Sequence, residues 1–283
     1  MKIYIIGKNG QLGYDLERVL SKKYIVDGGG KEKFDMKKVD DFLDFIKNKY
    51  NILINCSAYL DVVLSEKYIK DAFLMNANLP TVIAKFCYEN KIRFFHFSTD
   101  YVFDGKKRTP YLEDDRCNPL NNYGLSKYVG ERMILENNPD AKILRVSGLY
   151  GKRESRSKGY NFVSFILKKT ENKEAVSVVD DQVLTPTYTY NIARQVEKII
   201  DYDLSGIIHS TDEGETSWYG FALMIKKIMK LSIIIKPRDS KGLFPERPSY
   251  SVLENRVLKD NGINLMKCWM ESLEYFLKVD LKG

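Results

Sequence analysis

Long hydrophobic runs are absent from this sequence. The longest aliphatic stretches, such as residues 52–54 and 233–235, fall far short of the roughly 20 residues that a helix needs to cross a bilayer. The first residues also lack the apolar segment and the small-residue cleavage site of a secretory signal. We therefore predict no membrane partner and a cytoplasmic location.

Cysteine and histidine are scarce as well. The four cysteines are widely scattered, and no Cys-x-x-Cys pair suggests zinc or redox chemistry. This usage fits a reducing compartment better than a disulfide framework. The two histidines, His96 and His209, lie in apolar segments, where a core position is expected rather than a ligand. No metal site is predicted.

No block of like charge is present. The formal net charge is +7, but the basic residues are dispersed and no nucleic-acid module accompanies them, so nucleic acid is not a predicted partner. The positive balance suits an anionic ligand such as a dinucleotide or a sugar diphosphate, and it equally fits a background of solvated lysines.

Short β-rich runs alternate with helical patterns through the first half of the chain. Strands are predicted at residues 2–6, 24–26, 51–55, 93–98 and 142–147, and helices from residue 11 and over about 36–49 and 72–88. Crossovers of this length require parallel strands, and near-continuous apolar strands suit a sheet covered on both faces. The predicted fold class is therefore α/β, a doubly wound parallel sheet of the Rossmann type.

The rhythm changes after residue 147. A loop rich in glycine and charge precedes a helix at 162–170, a short strand at 175–179 and further helices at 216–230 and 269–277. We predict a Rossmann domain over residues 1–147 and a smaller, interleaved substrate lobe over mainly 148–283. Segments near 180–210, including residues 207–209, are expected to return to the first domain.

A glycine-rich turn, residues 7–13, lies between the first predicted strand and the first predicted helix. Gly7, Gly10 and Gly13 allow a tight turn and a close backbone approach, while the helix start attracts a pyrophosphate. In this context the glycine turn predicts dinucleotide binding.

The second predicted strand leaves the coenzyme open. Asp27 could accept from an adenosine ribose hydroxyl, whereas Lys31 could favour a 2′-phosphate. Three glycines follow Asp27, so a plain turn is an equal alternative. Asp35 could touch the adenine or cap the next helix. Both NADPH and NADH stay candidates.

A second constellation combines Thr99, at the end of the fourth predicted strand, with Tyr123 and Lys127. Ligands collect at the carboxyl ends of parallel strands, where Thr99 emerges, and a helix would place Tyr123 and Lys127 on one face. A phenol can protonate an alkoxide as hydride arrives, and an adjacent ammonium would lower its pKa toward neutrality. Thr99 could donate a hydrogen bond to the carbonyl oxygen. Together they predict a carbonyl reductase.

With these motifs, the chain resembles the extended short-chain dehydrogenase/reductases, and among them the dTDP-4-dehydrorhamnose reductase family. The specific likeness rests on four further groups of residues. These are the segment 98–103 (Ser-Thr-Asp-Tyr-Val-Phe), Asp181-Gln182 with Pro186-Thr187, Ser217-Trp218-Tyr219, and Arg247-Pro248 followed by Ser251 and Leu253. The resemblance implies that NADPH or NADH reduces the C4 ketone of a nucleotide-linked 4-keto-6-deoxy sugar, with Thr99, Tyr123 and Lys127 as the triad.

The resemblance also implies roles for individual residues. The cofactor residues would be Asn9, Gln11 and Leu12 at the pyrophosphate and Ser57, Ala58, Asn76 and Ser98 along the cleft, together with the three glycines, Asp35, Tyr123 and Lys127. The substrate residues would be Asp100, Tyr101, Phe103 and Arg247, the last of these at the diphosphate.

Three positions depart from the family pattern. Leu60 and Val63 replace a usual threonine and aspartate, and Gly148 replaces a tryptophan beside the sugar. Losing an indole and an orienting hydroxyl should reshape the sugar pocket while the chemistry survives. Some family members pair through a magnesium site, but Asp15 and Tyr190 stand at the corresponding positions here; a homodimer therefore stays open, without a metal.

Two other functions stay open at this point. An epimerase, or a combined epimerase-reductase, would use the same triad with a retained cofactor. The resemblance also extends to the non-catalytic β subunit of methionine adenosyltransferase, which would bind a cofactor without turning over a substrate.

Overall fold

The computed structural model describes residues 1–29, 39–155 and 159–282. The strands are β1 (Lys2–Ile6), β2 (Ile25–Gly29), β3 (Ile52–Asn55), β4 (Arg93–Thr99), β5 (Lys142–Val146), β6 (Leu149–Tyr150), β7 (Val176–Val179), β8 (Val183–Leu184), β9 (Thr187–Tyr188), β10 (Gly206–His209), β11 (Thr216–Ser217) and β12 (Ile235–Arg238). The α-helices are α1 (Gln11–Leu20), α2 (Val39–Ile46), α3 (Val62–Lys67), α4 (Ile69–Phe73), α5 (Leu79–Glu89), α6 (Asn122–Asn137), α7 (Phe162–Glu171), α8 (Thr189–Ile200), α9 (Trp218–Met229), α10 (Arg256–Asp260) and α11 (Trp269–Tyr275).

The central sheet has six strands in the order β10-β5-β4-β3-β1-β2, and every neighbouring pair is parallel. Apolar side chains of α1 and α8 cover one face, and those of α2, α5 and α6 cover the other. These two layers confirm the predicted doubly wound α/β sheet. The predicted return of residues 207–209 is confirmed by β10, which pairs with β5.

The order of the strands places a crevice at the carboxyl end of β1. After β1 the chain moves to β2 on one side and then to β3 on the other, so the loops after β1 and β3 diverge between these strands. Such a switch point is where open α/β sheets bind ligands. The glycine turn lies at this crevice.

Strand β2 is longer than predicted. Gly28 pairs with Ile5 and Gly29 with Ile6, so the alternative of a plain turn after Asp27 is wrong for these two residues. A Cβ on Gly28 would lie 2.4 Å from the carbonyl oxygen of Ile5. The glycine is therefore needed for close packing rather than for a change of direction.

Two predicted helices differ in detail from the structure. The helix expected over 36–49 is seen as α2, and its first predicted residues lie outside the described ranges. The helix expected over 72–88 is α5, continuous with α4 through a π-helical turn at Leu74–Asn78. A π turn inserts an extra residue into the helix and is common beside functional sites.

The C-terminal lobe has its own aromatic core, in which Tyr150, Tyr188, Phe221 and Phe276 pack together. The chain returns to the first domain through β10 and α8, and again through Leu258, Ile263 and Met266 beneath α1. This interleaving follows the predicted pattern, while the boundary near residue 147 stays a prediction. In the described ranges no helix is both long and apolar enough to cross a bilayer.

Candidate active site

The glycine turn has the backbone geometry of a phosphate-binding loop. Gly7 has φ +81°, a conformation that residues with a side chain rarely adopt. A Cβ on Gly13 would lie 2.2 Å from the carbonyl oxygen of Gly7, so only glycine lets α1 start this close to the turn. Gly10 is the N-cap of α1 and gives its amides no side-chain cap, leaving the helix start available to an anion.

Buried polar atoms without a protein partner surround the same crevice. In the described part of the chain, Nε2 of Gln11 and Oγ of Ser98 are buried and have no hydrogen-bond partner. Such groups are costly unless a ligand or water satisfies them. The main chain of Ser57 approaches Gly7 from the opposite wall, and Ala58 follows it. This arrangement fits a dinucleotide.

Leu12 and Asn9 lie at the glycine turn but differ in exposure. The side chain of Leu12 is buried in the core of the sheet, so only its backbone is suited to a pyrophosphate. Asn9 is exposed at the tip of the turn. Asp35 lies outside the described residues, as does Lys31, and their predicted roles stay predictions.

Asn76 does not line the cleft as the resemblance implies. It is fully buried in the π turn, where its Oδ1 accepts from the Tyr59 amide at 2.8 Å and its Nδ2 donates to Ser126 Oγ at 2.9 Å. Asn76 therefore ties the loop after β3 to α6. Asn76 would therefore affect cofactor binding by positioning this loop and this helix.

Asp27 is already engaged within the protein. Its carboxylate accepts from its neighbour Gly28 N at 2.7 Å and from the phenol of Tyr50 at 2.8 Å. It also lies within β2 rather than at its end, because Gly29 is the residue opposite the last residue of β1. This placement weakens the prediction that Asp27 selects NADH by its ribose.

The start of α6 is built to hold Tyr123. Asn121 is the N-cap, and its side chain accepts from the Gly124 amide at 2.9 Å. The carboxylate of Glu66 accepts from the Asn122 amide at 2.8 Å. A carboxylate at a helix N-terminus also interacts favourably with the helix dipole. A Cβ on Gly124 would lie 2.2 Å from the Tyr101 carbonyl oxygen, so the helix abuts the end of β4.

Thr99 and Tyr123 meet at this junction. Thr99 ends β4, and its side chain lies beside the phenol of Tyr123. Burial raises the pKa of Tyr123, the hydrogen bond from Thr99 opposes that rise, and the charge of Asp100 adds to it. Sequence reasoning assigned the lowering effect to Lys127, whereas in the structure it comes from Thr99.

Lys127 is buried, with 2% of its surface exposed, and its amine contacts groups of the protein interior. Nζ donates to the Phe97 carbonyl at 2.6 Å and lies 3.1 Å from Nε2 of His96. Burial lowers the pKa of Lys127 to about 8, although the charges of Glu131 and Cys56 act in the other direction. Lys127 therefore titrates near neutral pH.

Asp100 lies beneath the site. Its Oδ2 accepts from Ser251 at 2.6 Å and from Ser147 at 2.9 Å, and its Oδ1 accepts from Thr99 at 3.0 Å. Burial raises the pKa of Asp100 to about 6 against these hydrogen bonds. With its oxygens turned to the protein, Asp100 orients Thr99 rather than facing the sugar directly, which corrects the predicted direct contact.

Tyr101 and Arg247 remain at the open side of the site. The Tyr101 ring meets that of Tyr123 edge to face, with centroids 5.8 Å apart. Burial raises the pKa of Tyr101 to about 12, and the positive charge of Arg247 opposes this rise. Nε of Arg247 is buried without a partner in the described part of the chain, as expected for a group that awaits an anion.

The prediction that Phe103 contacts the substrate is wrong. Its side chain has 0% exposure and stacks on Tyr111 at a centroid distance of 4.1 Å. After β4 the chain enters a 3₁₀ turn at Asp100–Val102, which carries residue 103 away from the side on which Tyr101 lies. Phe103 is a core residue of the segment that supports the site.

The residues that depart from the family pattern have distinct surroundings. Leu60 in the loop before α3 and Val63 in the first turn of α3 are 42% and 50% exposed, so this segment presents apolar rather than polar groups to solvent. Gly148 has φ +54°, and a Cβ there would lie 2.7 Å from Leu184 Cδ1. With this backbone, Leu184 fills the direction in which a larger residue would point.

Asp15 and Tyr190, at the positions of the family's magnesium site, make contacts within the protein. Asp15 accepts a hydrogen bond from Thr189 Oγ1 at 2.5 Å and lies 3.4 Å from Arg18 Nη1. Arg18 lies 4.7 Å above the Tyr190 ring. Among the described residues there is no group of three or more candidate ligands that could hold a metal ion.

Sequence reasoning missed several residues that shape the site. Glu66 and Asn55 received no role, and His96 was expected only as a core residue. Ser147 and Ser251 were not considered as partners of Asp100. The available signal was position, because Asn55 ends β3 at the switch point and His96 lies opposite it on β4.

Comparison with known proteins identifies the family. The family model described as the RmlD substrate binding domain matches residues 1–281. The spore coat polysaccharide biosynthesis protein SpsK of Bacillus subtilis is 34% identical, with 98% of this chain and 97% of the relative covered. A dTDP-4-dehydrorhamnose reductase of Burkholderia thailandensis is 31% identical, with 94% of each chain covered.

A solved structure gives the same result. The dTDP-4-dehydrorhamnose reductase of Bacillus anthracis, in complex with NADP, superposes with a TM-score of 0.92 at 32% identity, and the match covers 98% of each chain. The resemblance inferred from the motifs is thereby confirmed. The chain belongs to the dTDP-4-dehydrorhamnose reductase family, a group of NADP-dependent oxidoreductases within the extended short-chain dehydrogenase/reductases.

Proposed function

We propose that this chain reduces the C4 ketone of a nucleotide-linked 4-keto-6-deoxy sugar at the expense of NADPH. The observation that carries the proposal is the contact between Thr99 and Tyr123, one helical turn before Lys127, at the carboxyl edge of the sheet beside the glycine turn. NADPH supplies the hydride for such a reduction. The glycine turn, Gln11, Ser98 and Lys127 would hold it.

Tyr123 is the proposed acid. Because burial raises the pKa of Tyr123, its phenol keeps its proton at neutral pH and can give it to the alkoxide that forms at C4. The Thr99 hydroxyl donates to Asp100 in the structure, and in the reaction it would turn this proton toward the oxygen on which negative charge develops. Lys127 would hold the coenzyme, because the effect that lowers the pKa of Tyr123 comes from Thr99.

The substrate is proposed at the level of its class. Arg247 offers to a diphosphate a guanidinium N–H that has no partner among the described residues, and Tyr101 borders the reacting centre beside Tyr123. The side chains of Leu60 and Val63 are apolar and cannot hydrogen-bond a substrate. They therefore favour a sugar with fewer polar groups on the side that faces them.

NADPH is the proposed coenzyme for two reasons. Asp27, the acidic residue that would select NADH, already accepts from Tyr50 and Gly28. A relative that is 32% identical was solved in complex with NADP. We expect a higher kcat/KM with NADPH than with NADH, measured under the same conditions.

A panel of dTDP-, UDP-, GDP- and CDP-linked 4-keto-6-deoxy sugars tests the reaction. We expect NADPH oxidation with at least one of them, and a loss of about 10²–10⁴-fold in kcat for Tyr123→Phe, while the Kd for NADPH stays the same. NADPH binding without any turnover would favour the regulatory-subunit alternative. Sugar conversion without stoichiometric NADPH oxidation would favour an epimerase.

The proposal extends to assembly and location. A homodimer, which the resemblance leaves open, and a cytoplasmic location, argued from cysteine usage, are both part of the proposal for this chain. The molar mass in solution by light scattering tests the first, since a monomeric mass at micromolar concentration would contradict it.

A further inference from the structure

A chain of hydrogen bonds runs from Ser57 through Asn55 and His96 to Lys127. Both the backbone amide and the Oγ of Ser57 donate to Oδ1 of Asn55, at 3.0 and 2.6 Å. Nδ2 of Asn55 lies 3.2 Å from Nδ1 of His96, and Nε2 of His96 lies 3.1 Å from Nζ of Lys127. Asn55 and His96 are both buried, at 1% exposure.

The backbone amide of Ser57 determines the donor and acceptor of each following hydrogen bond in this chain. A backbone amide can only donate, so Asn55 must turn Oδ1 to Ser57 and Nδ2 to His96. Nδ1 of His96 then accepts, and the single proton of the neutral ring is on Nε2, facing Lys127. The opposite tautomer would bring two N–H groups face to face between Asn55 and His96.

An N–H group that faces Lys127 discriminates between its two charge states. The ammonium has no lone pair, so it cannot accept from His96 and meets a second donor instead. The neutral amine accepts from Nε2–H of His96 and still donates to the Phe97 carbonyl, which lies 2.6 Å from Nζ. This contact therefore favours the amine.

The other groups around this pair act from neighbouring elements. Burial lowers the pKa of Lys127 to about 8, whereas Glu131 of α6 and Cys56 after β3 both act to raise it. Burial, and then the charge of Lys127, lower the pKa of His96 well below its usual value. Both effects favour the neutral ring of His96.

We propose that His96 is a positioning residue for the reduction: by presenting Nε2–H to Lys127, it fixes the place of the amine and sets the pH above which Lys127 loses its charge. The kinetic part of this inference rests on the proposed function. The tautomer of His96 does not, because it follows from the protein alone.

The tautomer can be read by NMR of protein labelled with 15N-histidine. The chain has two histidines, and the second is an internal standard because its proton is on the other ring nitrogen. Nδ1 of His209 lies 3.0 Å from the Glu254 carbonyl and Nε2 faces Nη1 of Arg145 at 3.4 Å, so His209 carries its proton on Nδ1. We expect one Nε2–H ring, absent from His96→Gln, and one Nδ1–H ring. A His96 ring protonated on Nδ1, or on both nitrogens, would overturn the proposal.

The same spectra report the charge of Lys127. The Nε2 signal of His96 should move with pH, with a midpoint near the pKa of about 8 given for Lys127, and should not move in Lys127→Met. A His96 signal that is constant across this range in the wild-type protein would contradict a direct contact. This measurement needs no substrate.

A pair of variants tests the kinetic consequence. His96→Gln keeps an acceptor for Asn55 and an N–H for Lys127, whereas His96→Phe removes both. With NADPH and dTDP-4-dehydrorhamnose as the probe substrate, we expect the base-side midpoint of kcat/KM to rise by about one pH unit in His96→Phe. It should stay at the wild-type value in His96→Gln.

Two results would count against His96 in this assay. Equal shifts in both variants, or a lower rate with no shift in His96→Phe, would leave His96 with a packing role alone. If the wild-type protein does not reduce this sugar, the proposed function fails for that substrate, while the NMR titration still decides whether His96 presents its N–H to Lys127.

Discussion

Glu131→Gln perturbs the active site and the core together. Arg145 is 3% and Glu131 1% exposed, and the guanidinium donates to both carboxylate oxygens, at 2.9 Å from Nε and 2.7 Å from Nη2. A glutamine keeps the shape but leaves the buried guanidinium without its paired charge. Because Glu131 lies one turn after Lys127 on α6, the same change removes a charge that favours the lysine ammonium.

The size of the effect follows from burial. Breaking a buried pair costs about 3–5 kcal/mol, and we expect about 3 kcal/mol here, because Glu113 still favours the charge of Arg145. For a chain of 283 residues this corresponds to a fall of about 5 °C in Tm. Urea unfolding followed by circular dichroism measures the first value, and calorimetry measures the second.

A matched control lies on the same helix. Glu136 is exposed, so Glu136→Gln should change the free energy of unfolding by less than about 0.5 kcal/mol. In Glu131→Gln the base-side midpoint of kcat/KM should also fall, opposite in sign to the shift in His96→Phe. Equal stability of the two glutamine variants would refute the reasoning about the buried pair.

Three further predictions follow from single contacts. Gly13→Ala places a Cβ 2.2 Å from the Gly7 carbonyl oxygen, and we expect at least about a tenfold higher Kd for NADPH by calorimetric titration. Glu66→Ala removes the acceptor of the Asn122 amide and should cost about 1–2 kcal/mol of stability and slow turnover, measured by urea unfolding and steady-state kinetics. Burial raises the pKa of Asp212 from 3.8 to about 7, so the folded state binds the extra proton and stability is lost as pH rises through this window; Asp212→Asn should lack this part of the slope in urea unfolding from pH 4 to 7.

Local patterns in the sequence were sufficient for the main chain of the site. The glycine turn, the strand that ends at Thr99 and the helical spacing of Tyr123 and Lys127 each depend on neighbours along the chain. The role of Phe103 was implied by the resemblance alone and is wrong. A 3₁₀ turn follows β4, and Phe103 stacks on Tyr111.

Contacts between distant elements could not be predicted in this way. His96 looks like a core residue because its strand is apolar, and only the fold shows that its two nitrogens join Asn55 of β3 to Lys127 of α6. The glycines after Asp27 are ambiguous for a similar reason. Their role depends on how closely β2 approaches β1, a distance that no local pattern records.

Transfer of the hydride itself is the most direct test of the proposed reduction. The enzyme would be given NADPH carrying deuterium at the transferred position of the nicotinamide C4, together with a sugar of the panel that it converts, and the product sugar analysed by mass spectrometry. We predict one deuterium at C4 of each product sugar and one NADPH oxidised per sugar. Product that forms without deuterium, or without net oxidation of NADPH, would contradict the assignment of this chain as a reductase.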